Sequence, residues 1–178
     1  MQYSLIFVPE GIMAVSWSEQ MLTALTLPHQ EPDRAVYTLA GQLKVPLKLL
    51  VKSDQVPELI VQLEKQLQHF FLGERCSFNF KVDLSWCTPF QRSVLQAARL
   101  IPYGETRTYK QLAGMIENPR ACRAVGGALR GNRVLLVVPC HRIIRHDGTP
   151  GGFGGQPWWK EKLINLEKSI CLKNHVHY

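Results

Sequence analysis

The sequence predicts an α/β (α+β) fold in two parts: a small sheet-plus-helix domain over residues 1–87, then a mainly helical domain over 88–178 built on a helix-turn-helix. Three observations predict it. Apolar residues alternate with a period of two near the N-terminus, and after Thr88 they recur at helical spacing. The charge divides at the same place. Residues 1–87 carry 7 Lys/Arg against 9 Asp/Glu, whereas residues 88–178 carry 14 against 5, and nine of those 14 cations are Arg. A basic excess confined to one half suggests that this half meets a polyanion.

Length and composition exclude several classes. A chain of 178 residues can bury a core without disulfide or metal staples. No apolar run approaches the roughly 18 residues of a membrane span. Met1–Val8 lacks the basic flank and apolar length of a signal peptide, so an intracellular protein is expected. The five cysteines, Cys76, Cys87, Cys122, Cys140 and Cys171, are odd in number and contain no C-x-x-C pair. That argues against a disulfide framework and against a standard zinc finger.

Tyr3–Val8 and Ile12–Ser16 alternate as strands around a turn at Pro9-Glu10-Gly11. Ala35–Ala40 and Val45–Val51 read as further strands. Gln55–Leu72 spaces Leu59, Ile60, Leu63, Leu67, Phe70 and Phe71 at a helical period. Ser77–Val82 alternates again, and Asp83–Pro89 reads as the junction. Thr88–Leu100 is an amphipathic helix, ended by Ile101-Pro102-Tyr103-Gly104. Thr108-Tyr109-Lys110-Gln111 fits a capping box that opens a helix running to about Glu117. Asn118-Pro119 supplies an N-cap and an N1 proline for a second helix ending near Gly131. Two helices joined by almost nothing, in a basic region, suggest a helix-turn-helix.

At about 100° per residue, Arg120, Arg123 and Arg130 of the second helix fall within roughly 80° of one another. Ala124 and Gly127 share their side, while Cys122, Val125 and Leu129 lie opposite. Such a helix packs on its apolar side and presents arginines among residues small enough for close approach. Gly126 and Gly127 would be costly in a merely structural helix, which favours a binding role over a plain solvated face.

Val134–Val138 is an unbroken apolar run that reads as a buried strand leading into Pro139-Cys140-His141-Arg142. Cys140 differs from the other cysteines because His141 and Arg142 follow it directly. A nearby base or positive charge favours the thiolate, which is the reactive form. Neighbours on a strand face opposite ways, so contact between Cys140 and His141 would need a turn or a bridging water. In Lys160–Lys168, Leu163, Leu166 and Glu167 share one stripe, and a carboxylate on an apolar stripe needs a partner. A histidine N–H there would make Cys140, His141 and Glu167 an activated-nucleophile relay. Pairing of Glu167 with Lys or Arg at the domain edge is the other option.

Ile101-Pro102-Tyr103-Gly104, Thr108-Tyr109-Lys110-Gln111-Leu112-Ala113, Arg123-Ala124-Val125-Gly126-Gly127-Ala128, Arg130-Gly131-Asn132 and Pro139-Cys140-His141-Arg142-Ile143-Ile144 stand in this order. Together they closely resemble the O6-alkylguanine-DNA alkyltransferases, also called methylated-DNA–protein-cysteine methyltransferases, over about residues 88–169. Residues 1–87 match only in outline.

The resemblance implies a winged helix-turn-helix-like catalytic domain that repairs DNA. The alkyl group of O6-alkylguanine would pass irreversibly to Cys140, once per molecule, with O4-alkylthymine as a further candidate substrate. His141, through a water, and Glu167 would activate the thiolate, and Asn132 would brace the turn before it. Tyr109 would help rotate the nucleotide outward and donate a proton toward the departing guanine. Arg123 would fill the gap left in the duplex. Arg120, Ala124, Gly127 and Arg130 would complete a face for the minor groove of double-stranded DNA, with little sequence preference.

Pro139, Ile143, Phe153 and Gly154 would line the substrate pocket. Phe153 stands where many relatives carry Tyr, and Gly154 and Gln156 where relatives often have Ser and Gly. Some relatives bind zinc through N-terminal Cys and His residues. No cysteine precedes Cys76, so no metal is expected, and no cofactor. The protein is expected to act as a monomer, in the cytoplasm of a bacterium or the nucleus of a eukaryote.

A different class of reading is a helix-turn-helix regulator, or a relative that flags damage without repairing it. The cysteine after Pro139 argues for transfer instead. A cysteine hydrolase built on Cys140 and His141 leaves the arginine helix and the charge split unexplained.

Overall fold

Alternation at the N-terminus does produce strands. A computed structural model of the chain describes residues 1–153 and 157–174. β1 (Gln2–Val8) and β2 (Gly11–Ser18) pair antiparallel, with Val8 opposite Gly11, which leaves Pro9-Glu10 as a two-residue turn. β3 (Met21–Leu25) pairs antiparallel with β2 through a turn at Glu19-Gln20. That hairpin has no glycine or asparagine to announce it, and Glu19 takes the positive φ of 53° itself.

Ala35–Ala40 is a helix, not the expected strand. It lies within α1 (Pro32–Leu43), which has Pro at its start, Asp33 in its first turn and Ala35, Leu39 and Leu43 buried. Spacing of four sets the conformation there, and the β-favouring Val36, Tyr37 and Thr38 stay on the outer side. Val45–Val51 is likewise mostly a 3₁₀ turn at Leu47–Leu49, after Pro46. Only β4 (Val51–Lys52) joins the sheet, parallel to β1, to give the order β3-β2-β1-β4. α1 packs against β2 and β3, and α2 (Glu58–Phe71) against β1. Ser77–Val82 forms no regular strand; a single bridge joins Val82 to Leu22.

The chain falls into two units. The first comprises Met1–Trp86 and takes back Arg133–Val137; the second comprises Cys87–Asn132 and Val138–Tyr178. An expected cut at 87/88 makes no provision for that return. Inside the first unit, Leu25 N–H donates to Arg133 O at 2.8 Å and Leu135 N–H to Leu25 O at 3.2 Å.

The second unit opens with α3 (Pro89–Arg99), within the expected helix over Thr88–Leu100, and it starts in a capping box. Thr88 Oγ1 accepts from Gln91 N–H, and the Gln91 side chain accepts from Thr88 N–H. Thr108 and Gln111 repeat the capping box at the start of α4 (Tyr109–Met115). α3 packs against α4 and α5 (Cys122–Arg130). β5 (Arg107–Thr108) and β6 (Ile143–Ile144) form a short parallel pair, and α6 runs over Pro157–Asn174. The β5–β6 pairing brings the residues just after Cys140–Arg142 beside the start of α4, where Tyr109 stands.

The joint between α4 and α5 is longer than expected. Asn118 N–H donates to Ala113 O at 2.9 Å and Glu117 N–H to Gly114 O at 3.0 Å, a Schellman ending with Glu117 at φ 57°. Asn118 is spent on that ending and on a turn back to Ala121, so it does not cap α5. Ala121 takes the N-cap position, and Arg120 lies in the turn rather than in the helix. Replacing the exposed Glu117 by glycine relieves a left-handed conformation that disfavours a side chain. Stability is expected to rise by about 0.5–1 kcal/mol, visible as a melting temperature roughly 1–4 °C higher.

Candidate active site

Cys140 opens a single 3₁₀ turn, Cys140–Arg142, reached through two tight γ-turns. In the first, Val137 N–H donates to Leu135 O at 2.9 Å across Leu136, which sits at φ 69°. In the second, Cys140 N–H donates to Val138 O at 2.8 Å across Pro139 (φ −80°, ψ 58°). The positive-φ γ-turn is rare and strained for a branched side chain. These turns break the expected strand at Val134–Val138, although Val134, Leu136, Val137 and Val138 are buried. In a 3₁₀ turn successive side chains are about 120° apart. Cys140 and His141 are therefore not held on opposite faces.

Cys140 is buried, and its sulphur is engaged. Asn132 Nδ2 uses one N–H on Val138 O at 3.0 Å and the other on Cys140 Sγ at 3.1 Å. Burial pushes the Cys140 thiol above its ordinary pKa. The Asn132 donor, the Lys160 ammonium and the backbone hydrogen bond at Cys140 pull the other way without overcoming it. The resting group is therefore the thiol, with Asn132 and Lys160 placed to ease the loss of its proton.

Glu167 takes both a histidine and an arginine, and the arginine is the buried Arg142 rather than one at the domain edge. His141 Nε2 lies 2.8 Å from Glu167 Oε1, and Arg142 donates to both carboxylate oxygens at 2.9 Å. Gly104 N–H adds a fourth bond to Oε2 at 3.0 Å. Burial works against the Glu167 carboxylate, but His141 and then Arg142 hold it down at about 2. Burial keeps His141 below the ordinary imidazole value, despite the pull of Glu167. The imidazole is thus neutral at pH 7 and donates from Nε2 to an ionised carboxylate. Nδ1 is then the acceptor, and it is buried with no protein partner among the described residues.

Tyr109, first residue of α4, is half-buried, and its phenol is raised first by burial and then by Cys140. Its ring passes 3.7 Å from where a Gly126 Cβ would sit, and its hydroxyl 3.1 Å from the corresponding point on Gly151. Lys160 Nζ stands 5.6 Å from the ring centroid. Lys160 is only 1% exposed and is pushed down to about 8 by burial, with Cys140 opposing.

Cys140, His141, Asn132, Glu167 and Tyr109 are thus gathered in one unit. Pro139, Ile143 and Phe153 are buried there too; Gly154 and Gln156 lie outside the described residues. Sequence reasoning read Arg142 as a charge beside Cys140 and not as the partner of Glu167, and it passed over Lys160. The α6 stripe is Lys160, Leu163, Ile164, Glu167 and Ile170, so two charges seven residues apart on one apolar stripe were the available signal.

Residues 89–169 match the family model described as 6-O-methylguanine DNA methyltransferase, DNA binding domain. The chain is 34% identical to the methylated-DNA–protein-cysteine methyltransferase of Mycolicibacterium paratuberculosis over 169 residues, 94% of this chain and 92% of that one. The chain belongs to the methylated-DNA–protein-cysteine methyltransferase family. Its identity to the constitutive methyltransferase of Bacillus subtilis is 32%, over 93% of this chain and 94% of the relative. The structure of Mycobacterium tuberculosis OGT in complex with DNA matches with a TM-score of 0.76 and 33% identity, covering 96% of this chain and 94% of that one. Methylated-DNA–protein-cysteine methyltransferases act in DNA repair by alkyl transfer to cysteine, and this chain is a DNA-binding member.

On this methyltransferase, α5 buries Val125, Ala128 and Leu129, and Cys122 is half-buried. Arg123, Ala124, Gly127 and Arg130 are exposed, and a Cβ on Gly127 would meet nothing within 4 Å. The helix therefore offers two arginines around a stretch of nearly bare backbone. Among the described residues no helix is long and apolar enough to cross a membrane.

Proposed function

We propose that Cys140 is the alkyl acceptor for O6-alkylguanine in DNA. The Sγ–carbon bond forms as the carbon–O6 bond breaks, and that bond's electron pair leaves with the guanine. The observation that carries this reading is the Asn132 amide on Cys140 Sγ at 3.1 Å. A side-chain donor aimed at sulphur steadies the thiolate that the displacement needs. The thiol proton passes through a water to His141 Nδ1, whose basicity rests on the Glu167 carboxylate. The Tyr109 phenol, kept protonated by its surroundings, donates toward the departing guanine. Incubation with DNA containing O6-methylguanine, followed by peptide mass spectrometry, tests the assignment. A methyl group is expected on the peptide containing Cys140, and modification of any other cysteine alone would reject it.

DNA meets the α5 face through its minor groove, with little dependence on sequence, and the protein acts as a monomer. It works wherever the cell keeps its DNA, in bacterial cytoplasm or a eukaryotic nucleus. Flipping the target nucleotide costs a few kcal/mol, and Arg123 offsets it by filling the gap. Arg123→Ala is expected to slow repair in duplex DNA by about 10²-fold. Reaction with free O6-benzylguanine, which needs no flipping, should stay within about twofold. Equal losses on both substrates would remove the finger role. Binding should weaken steeply with salt in wild type, as phosphate neutralisation releases counterions.

A further inference from the structure

The Ile101-Pro102-Tyr103-Gly104 turn and Arg142 have no part in the chemistry above, yet they meet at Glu167. Arg142 Nη1 donates to Ile101 O at 2.7 Å, while Nε and Nη2 grip the two Glu167 oxygens. The guanidinium carbon lies 5.6 Å from the centroid of the Tyr103 ring. Gly104, at φ 78°, brings its N–H onto Glu167 at a point where a Cβ would run into Cys171 Sγ. The left-handed φ and the crowding by Cys171 both favour glycine at that position.

We propose that Arg142, held by the 101–104 turn, is a positioning residue that keeps Glu167 a permanent anion and so fixes His141 with its lone pair on Nδ1. An ionised carboxylate only accepts hydrogen bonds, so His141 Nε2 must donate and Nδ1 must be the base. A protonated Glu167 could donate to Nε2 instead, and the ring proton would then sit on Nδ1. His141 also favours the carboxylate, but burial keeps its ring below the ordinary imidazole value, so it brings no fixed positive charge. Arg142 does, through two N–H groups on the two carboxylate oxygens, since a guanidinium does not give up its proton in a protein. With Arg142 the buried trio is neutral overall. Without it, the Glu167–His141 pair would carry an uncompensated negative charge and would take up a proton at higher pH. The other groups facing the pair are Lys160 from α6, Cys140 from the same turn, Tyr103 beneath the guanidinium and Cys171 beside Gly104. Burial raises the Cys140 thiol, so it adds no negative charge there.

This proposal rests on Cys140 being the acceptor only in its kinetic arm, so the test has two arms. In the first, the ring nitrogens of His141 are read by ¹⁵N NMR in the full-length wild-type chain. The Nε2–H tautomer is expected at pH 7, and an Nδ1–H tautomer overturns the proposal whatever the variants do. In the second, single-turnover transfer from O6-methylguanine DNA is followed against pH for wild type, Arg142→Met and Arg142→Lys, with melting curves as a check on folding. Arg142→Met is expected to move the acid limb up by about one pH unit, a tenfold loss on that limb. Arg142→Lys, which keeps the charge, should restore most of it. A merely structural role would lower the rate evenly, leaving the limb in place. If Arg142→Met does not fold, Tyr103→Leu should move the limb the same way by less. An unmoved limb in the folded variant overturns the proposal. If wild type transfers no alkyl group, the acceptor assignment fails, and the NMR arm still decides the tautomer.

Discussion

Cys140→Ser is expected to abolish alkyl transfer, by at least about 10³-fold, while leaving DNA affinity and folding in place. Serine can take the Asn132 hydrogen bond on its oxygen, and the change leaves the exposed arginines of α5 untouched. What it loses is the reactive sulphur, because an alcohol yields its proton far less readily than a thiol. A gel assay for loss of O6-methylguanine, with salt-dependent DNA binding as the control, reads both halves. Transfer at an undiminished rate would sink the assignment. In wild type the same chemistry runs once, because the thioether it leaves is a very poor leaving group. Repair should stop at one equivalent of alkyl group per chain. The product carries an extra group in a site already buried on the free protein, so it should also melt lower. Overpacking of this kind costs roughly 1–3 kcal/mol.

Glu167→Ala is expected to be the most destabilising single change in the site, by about 3–5 kcal/mol. It strands the Arg142 guanidinium without its counter-ion and leaves buried donors on His141 and Gly104 unpaired. The pH dependence follows from the lowered carboxyl. Its value of about 2 in the folded chain lies below its ordinary 4.5. Its contribution is therefore complete above about pH 4.5 and is lost as pH falls toward 2. Urea unfolding of wild type and Glu167→Gln at several pH values should show a stability gap that is constant above pH 5 and closes in acid. A gap independent of pH from 5 down to 2 would mean that the charge on Glu167 contributes nothing to folding.

What the sequence disclosed was what neighbouring residues decide among themselves. Thr108 with Gln111 closes a capping box over three residues, and α4 starts where that pair says; the same pairing of Thr88 with Gln91 stood unread at the start of α3. Ala35–Ala40 looked extended because Val, Tyr and Thr favour strands, but burial of Ala35, Leu39 and Leu43 on a sheet outweighed that preference. Asn118 has a good capping side chain, yet the left-handed Glu117 before it hands the chain on at an angle that spends Asn118 elsewhere. Leu136 was the hardest to foresee. Nothing about a leucine in an apolar run announces a positive φ. At the site, spacing on α6 exposed Glu167 as a carboxylate needing a partner. It did not say that one carboxylate would serve His141, Arg142 and a backbone N–H together, because those partners lie 26, 25 and 63 residues away in the chain.

The return of Arg133–Val137 to the first unit has a practical meaning for anyone dividing this protein. A fragment starting at residue 88 would carry Leu135 with no Leu25 to receive its N–H, and would expose Val134, Leu136 and Val137 to water. Those residues stand between Asn132, which steadies the sulphur, and Cys140, which bears it. Such a fragment should be adhesive and slow to react, and its complement, 1–87, should have a raw edge at Leu25. A cut at 87/88 divides the first unit itself, and any truncation meant to keep that unit whole has to retain Arg133–Val137 together with residues 1–86.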